Sequence, residues 1–486
     1  MKWHNLYGQL LSYQRLYQAW LKVEANHGVG GVDGVSLVAF GDQLEDNLRL
    51  LLHQLQTKTY RPLPVLRRYI PKANGKQRPL GLPAIRDKVV QQAVVDILQP
   101  LYETVFHPAS VGFRPHKGAF NAFGRIIHWM EQGYNWVYDA DIQGYFDAID
   151  HRLLLRLLNR QIADRSLLDL VWQWLKAGVV EQGVRTVAKA GSPQGGVISP
   201  LLANVYLHEL DSKLEQAGIP FVRYADDFLV FAKDAAGAQR GQMVVEAVMR
   251  RLKLTLAPEK TQTIHLREYS SSAGRTIPEL EYLGVVIQGW FRKRDGTWSF
   301  GFKCSPSALK AYRMAIKAGT PKTHTLSLES LIDRVNPIIL GKAGYWAQAA
   351  RAVQTYRAIR GECHCATALM RQQTMQLDAY VRQRLRRIRL PQRGGTKTYR
   401  RVAMLHAIYT HERLIGAQLR YAERVVQDAA TGLPMTDAEY LALIRQRRDK
   451  ETQRKRHAKA GNSTYWERRA AAAARARQRV LSFEST

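Results

Sequence analysis

The sequence predicts an α+β fold, with antiparallel strands gathered mid-chain and helices before and after them. Three observations carry that prediction. Residues 221–231, FVRYADDFLVF, set two apolar runs either side of a polar centre. Phe, Val, Tyr and Leu favour strands and Asp favours turns, so this stretch reads as a β-hairpin with an acidic pair at its tip. Upstream, residues 136–149, WVYDADIQGYFDAI, open as a strand, and alternation puts Asp139 and Asp141 on one face of it. From about residue 305 the apolar positions recur at helical spacing instead, as in SALKAYRMAIKAG and LESLIDRVNPIIL.

The acidic strands suggest chemistry. Adjacent carboxylates beside buried strands are costly unless a cation neutralises them. Alone, 221–231 could be an ordinary turn that happens to hold two Asp; the second acidic strand shifts that balance. Strands bearing Asp141 and Asp226 can hold a pair of hard cations with oxygen ligands, of which Mg²⁺ is the usual choice. Two such ions about 3.5–4 Å apart stabilise the attacking and leaving oxygens of phosphoryl transfer.

Further blocks follow one another along the chain: GGVDG (30–34), IPKANGKQRPLGLPAIRDKVVQQA (70–93), SVGFRP (110–115), ADIQGYFDAIDH (140–151), SPQGGVISPLLANVYLHELD (192–211), RYADDF (223–228), PEKT (258–261), EYLGV (281–285) and NPIILGKAGYW (336–346). In these blocks and their order the chain resembles the bacterial group II intron-type reverse transcriptases, over roughly residues 20–390. The resemblance implies a right-hand polymerase fold. N-terminal helices and fingers would occupy 1–125, a palm with the catalytic carboxylates 126–303, a helical thumb 304–390, and a basic helical extension 391–486. It implies RNA-directed DNA synthesis with two Mg²⁺ ions as cofactor. The partners would be an RNA template, a DNA or RNA primer and deoxynucleoside triphosphates. Asp141, Asp226 and Asp227 match the catalytic positions, and the same three with Ile142 match the metal site.

Other positions take their roles from the same resemblance. Lys72 and Arg78 match triphosphate contacts on a fingers hairpin, and as cations they suit that role; without the motif, two solvated charges on a hairpin would be the favoured reading. Phe146 matches the ring that would strike a ribonucleotide 2′-hydroxyl, or is simply core. Gln194 matches a nucleotide-pocket residue, and Lys260 a lysine near the triphosphate or an exposed lysine. Arg114 is either a template or nucleotide contact or a donor that locks its loop. Tyr282, Leu283 and Gly284 match the primer-grip hairpin. Two departures stand out: Val111 replaces a usual aromatic residue, and Lys342 a frequent Trp.

Composition bounds the remainder. The 486 residues carry a formal net charge of +31, and the natural partner of such an excess is a polyanion. Arg382, Arg384, Arg386, Arg387 and Arg389 fall within nine residues with no acid among them, which argues for phosphate contact over a solvated helix face. No run of 18 apolar residues argues for a membrane span. The opening MKWHNLYGQLL lacks a signal peptide's apolar core, so a cytoplasmic protein without a membrane partner is expected. Cys304, Cys363 and Cys365 make no disulfide framework, and Cys363-His364-Cys365 is too tight for a zinc site, so no endonuclease is expected. The expected role is reverse transcription joined to binding of intron RNA. The alternatives are a CRISPR-associated or defence enzyme with protein partners, or a splicing factor that polymerises little.

Overall fold

In the computed structural model of the protein, the described residues are 2–71, 77–186, 190–191, 195–267, 278–292, 297–321, 328–360 and 368–386. All belong to one compact unit, Met1–Tyr421. Lys72, Gln194, Arg387, Arg389 and residues 391–486 lie outside them.

The chain opens with helices α1 (Leu6–Leu10), α2 (Tyr13–Ala25), α3 (Leu37–Asp42) and α4 (Leu44–Gln56). Ser12 caps α2 by accepting from the Arg15 N–H, and the i, i+3, i+4 stripe Leu16, Ala19, Trp20, Val23 is buried. Next come β1 (Val65–Pro71), β2 (Gln77–Leu82), α5 (Ile85–Glu103) and α6 (Ala119–Glu131). Helix α5 is buried on most of its circumference, as its near-continuous apolar run requires. Then follow β3 (Trp136–Ala140), α7 (Tyr145–Ala148), α8 (His151–Gln161), α9 (Arg165–Lys176), β4 (Val179–Glu181) and β5 (Val184–Thr186). Asp150 caps α8: its carboxylate accepts from the Leu153 N–H at 2.8 Å.

The second half runs α10 (Ser199–Gln216), β6 (Phe221–Tyr224), β7 (Asp227–Ala232), α11 (Ala235–Leu252), β8 (Gln262–His265), β9 (Glu279–Tyr282), β10 (Val285–Arg292) and β11 (Thr297–Cys304). It then turns helical with α12 (Pro306–Gly319), α13 (Leu328–Arg360) and α14 (Ala368–Arg386). Ile198 is the N-cap of α10, and Ser199 and Pro200 lie in its first turn. No helix among the described residues is long and apolar enough to cross a membrane.

Three sheets result. β1 and β2 pair antiparallel, and β4 joins β1 in parallel at Val65↔Val179, giving the order β2-β1-β4-β5. β9, β10 and β11 form a meander. The central sheet, β6-β7-β3-β8, is antiparallel throughout and sets Ala140 opposite Phe228 and Asp139 opposite both Leu229 and Gln262. Its apolar residues join those of α5, α8, α9 and α10 in one core, so the two acidic segments emerge from a rigid floor.

Candidate active site

β3 stops at Ala140, and the chain continues along the 255–257 segment. The Ala257 N–H donates to the Asp141 carbonyl and the Gln143 N–H to the Thr255 carbonyl, each at 2.9 Å. This fixes Asp141 at the sheet's end and buries the Ile142 side chain, leaving only backbone from Ile142 for any ligand. The hairpin differs from its sequence reading by one residue. Asp226 sits at the tip, whereas Asp227 opens β7 in register with Tyr224. Closing so short a turn puts Ala225 at φ +60°, a region that costs a non-glycine residue energy.

The turn is held from below. Arg223 is fully buried and grips Asp211 through two bonds of 2.7 and 2.6 Å. Its remaining nitrogen donates to Asn204 at 3.0 Å and to the Ala225 carbonyl at 2.8 Å. Asn204 in turn donates to the Gly112 carbonyl at 2.9 Å. Gly112 passes so close to the turn that a Cβ there would lie 2.3 Å from the Ala225 nitrogen, which explains glycine at this position. On the other side, the Tyr282 hydroxyl donates to the Asp227 carbonyl at 3.1 Å. The Tyr345 hydroxyl donates to the Leu283 carbonyl at 2.6 Å.

The carboxylates so placed are short of positive charge. Burial, then Asp139, Asp226 and Asp141, push the Asp227 carboxyl up to about 8. Burial and Asp141 raise Asp139 to about 6 against the bond from Gln262, and burial and Asp141 raise Asp226. Two cations answer them. Lys260 forms an ion pair with Asp141, which raises the lysine, and Arg78 on β2 pulls Asp226 back down. The structure therefore brings Asp141, Asp226, Asp227, Lys260 and Arg78 into one electrostatic neighbourhood. Among the described residues no group of three or more His, Cys, Asp or Glu forms a finished metal site. The donors nevertheless suit a hard divalent cation, since clustered carboxylate oxygens with raised pKa values lack the charge that such an ion carries.

Other expected positions fall differently. Phe146 is half-buried against the core, its ring 6.3 Å from Phe113 and 5.5 Å from Tyr145. Arg114 is buried and pairs with Glu103 at 2.8 Å. It also donates to the carbonyls of His107 and Ser110, which makes it the loop lock and leaves no guanidinium edge for a template. The Tyr282 side chain is buried beneath the acid pair, so a nucleic-acid contact by its ring is corrected to a supporting one. Leu283 and Gly284, both at positive φ, are partly exposed. Arg384 ties α14 to the end of α12 through Thr320, donating to its carbonyl at 2.7 Å. Arg382 and Arg386 lie on α14, their side chains outside the described set.

Sequence reasoning passed over Arg223, Asp211 and Asn204. Arg223 lies in β6 and Asp211 in α10, and nothing local in the sequence marks either as buried. Their spacing of 12 residues gives no local signal of pairing.

The model of the family "Reverse transcriptase (RNA-dependent DNA polymerase)" matches residues 70–287. The Escherichia coli protein YkfC is 34% identical over 49% of this chain and 73% of its own length. The Lactococcus lactis group II intron-encoded protein LtrA is 34% identical over 54% of this chain and 47% of its own. Among solved structures, a partial Cas6-RT-Cas1–Cas2 complex shares 25% identity over 50% of this chain and 41% of the matching one. Its TM-score of 0.33 carries no argument about fold or role. Reverse transcriptases as a family generally use divalent metal ions. The chain belongs to the reverse transcriptase family of RNA-dependent DNA polymerases, on its group II intron branch.

Proposed function

We propose that this RNA-directed DNA polymerase extends a DNA or RNA primer on an RNA template, with Asp141, the Ile142 carbonyl and Asp226 holding two Mg²⁺ ions and Asp227 supporting them. The observation that carries the reading is the meeting of Asp141, from the end of β3, with Asp226 and Asp227 of the braced hairpin, all within the field of Lys260 and with Arg78 acting on Asp226. When bound, the ions would supply the positive charge that stabilises the oxygens of phosphoryl transfer. The chain's own residues orient and select. Arg78, Lys260 and Lys72 neutralise a triphosphate, Phe146 and Gln194 shape the sugar and base pocket, and the Arg223–Asp211 pair fixes the turn. Helices α12–α14 serve as the thumb on the template–primer duplex. Arg382, Arg386, Arg387 and Arg389, with the extension after residue 390, bind RNA backbone. That RNA is the host intron's, on the likeness to LtrA, so that splicing support accompanies polymerisation.

The decisive test is Asp226→Ala. Extension of a primer on RNA should fall by many powers of ten, because losing one metal ligand costs at least several kcal/mol in the transition state. Duplex affinity should change little. Substantial extension by the purified variant would overturn the assignment. Co-purification with a spacer-acquisition or defence complex, without affinity for intron RNA, would replace the intron role and leave the chemistry standing.

A further inference from the structure

Helices α8 and α9 enclose a groove of about 520 Å³ that none of the residues assigned above lines. Its floor is half-buried and apolar, from Leu155, Leu168 and Trp172. Its rim carries Arg152, Arg156 and Arg165, all exposed, none with its guanidinium in an ion pair or hydrogen bond to a described residue. The neighbouring surface is different. Arg160 and Arg251 share Glu209, and Lys253 pairs with Asp150 at 2.6 Å. Acids are thus at hand and used just outside the groove, while Asp169 alone stands among the groove's own lining. Lys176 adds a further cation, its ammonium 4.9 Å from the Trp172 ring centre.

We infer that this groove binds a stretch of single-stranded RNA, at a site separate from the carboxylate cluster. Unpaired exposed arginines repel one another and are stabilised by a polyanion, and guanidinium groups grip phosphates bidentately. Arg152 and Arg156 lie one helical turn apart, about 5–6 Å between Cβ atoms, so they can hold phosphates of one strand in succession. An aromatic and aliphatic floor between cations suits unpaired bases, which stack on such surfaces; a duplex would bring only its backbone. Asn159, at the groove's polar side, can bond a base edge or a 2′-hydroxyl. The inference does not depend on the intron reading, since it needs only an enzyme that meets RNA.

The test uses the full chain with its cleft filled by an unlabelled, blunt-ended RNA–DNA hybrid and a labelled short oligouridine as probe. Replacing Arg152, Arg156 and Arg165 together by Gln should weaken probe binding at least about 10-fold. It should also lower the slope of log affinity against log salt by about 2, from roughly 0.7 per phosphate contact on a single strand. The matching triple Lys variant should keep most of the slope, and both should extend a short primer at the wild-type rate, which separates this result from failure of the polymerase reading. Unchanged affinity and slope in the Gln variant would overturn the inference. So would displacement of the probe from wild type by polyglutamate as readily as by unlabelled oligouridine, which would point to an acidic protein partner.

Discussion

Asp211, fully buried, and Asp227, half-buried, are carboxylates of one helix-and-hairpin unit, and they fare in opposite ways. Burial alone would push Asp211 up, but the bidentate Arg223 overcomes it and holds the carboxyl below its usual range. Asp227 has no such partner. Burial and three neighbouring acids carry it up to about 8. The fold neutralises the acid that it uses as scaffold and leaves uncompensated the acids that it uses for chemistry. An uncompensated cluster is costly by itself, and it is also what an incoming cation can stabilise.

Breaking the scaffold pair should produce the largest stability change. Asp211→Asn strands the buried guanidinium, and a loss of about 3–5 kcal/mol is expected in urea denaturation. Asp227→Asn removes a repelled charge, so metal-free stability should hold or rise while primer extension collapses. Equal destabilisation by the two substitutions would dissolve the contrast.

The same contrast has a pH signature. Asp227 has its folded pKa at about 8, above the ordinary carboxylate value of about 3.9, so the native state binds the extra proton between these limits. Metal-free stability should therefore fall as pH rises from about 4 to 8. Asp211, shifted the other way, contributes stability that is present above the unfolded carboxylate range and is lost only as pH falls through its folded value. Urea midpoints across that window check the first sign and midpoints at more acid pH the second, each with and without Mg²⁺: Mg²⁺ should flatten the first slope and leave the second alone. A smaller effect is expected at the pocket wall. Phe146→Ala should raise ribonucleotide over deoxyribonucleotide incorporation by about 10- to 200-fold at most in a competition assay, and an unchanged ratio would make the ring core only. Smallest of all, Lys253→Ala breaks an exposed pair with Asp150 and should cost about 0.2–1 kcal/mol in the same denaturation assay.

The acids themselves were legible in the sequence because strand alternation and the Tyr-x-Asp-Asp turn are local patterns. Asp139 and Asp141 do face the hairpin's pair, and the hairpin closes within one residue of its expected position. What holds them was not legible. Arg223 and Asp211 meet across a loop, Arg114 reaches back to Glu103, and the Tyr282 hydroxyl crosses 55 residues to the Asp227 carbonyl. A charged residue in a strand looks alike in sequence whether it faces water or a buried partner. Exposure was misjudged for the same reason at Tyr282 and Arg384, whose polar ends are consumed inside the fold.

The strand order β6-β7-β3-β8 also has a consequence for synthesis on the ribosome. β3 is the first of the four to be made, yet both of its neighbours come later, the last of them ending at His265. At about 5–20 residues per second, the interval from residue 140 to 265 lasts roughly 6–25 s. Until β7 is made, a strand of Trp, Val and Tyr has both edges unpaired, and its β8 edge stays open for the whole interval, a template for misassociation with other nascent chains. Asp139, near the end of that strand, puts a charge where an intermolecular pairing would have to bury it. The same carboxylate that crowds the finished site thus guards the unfinished one.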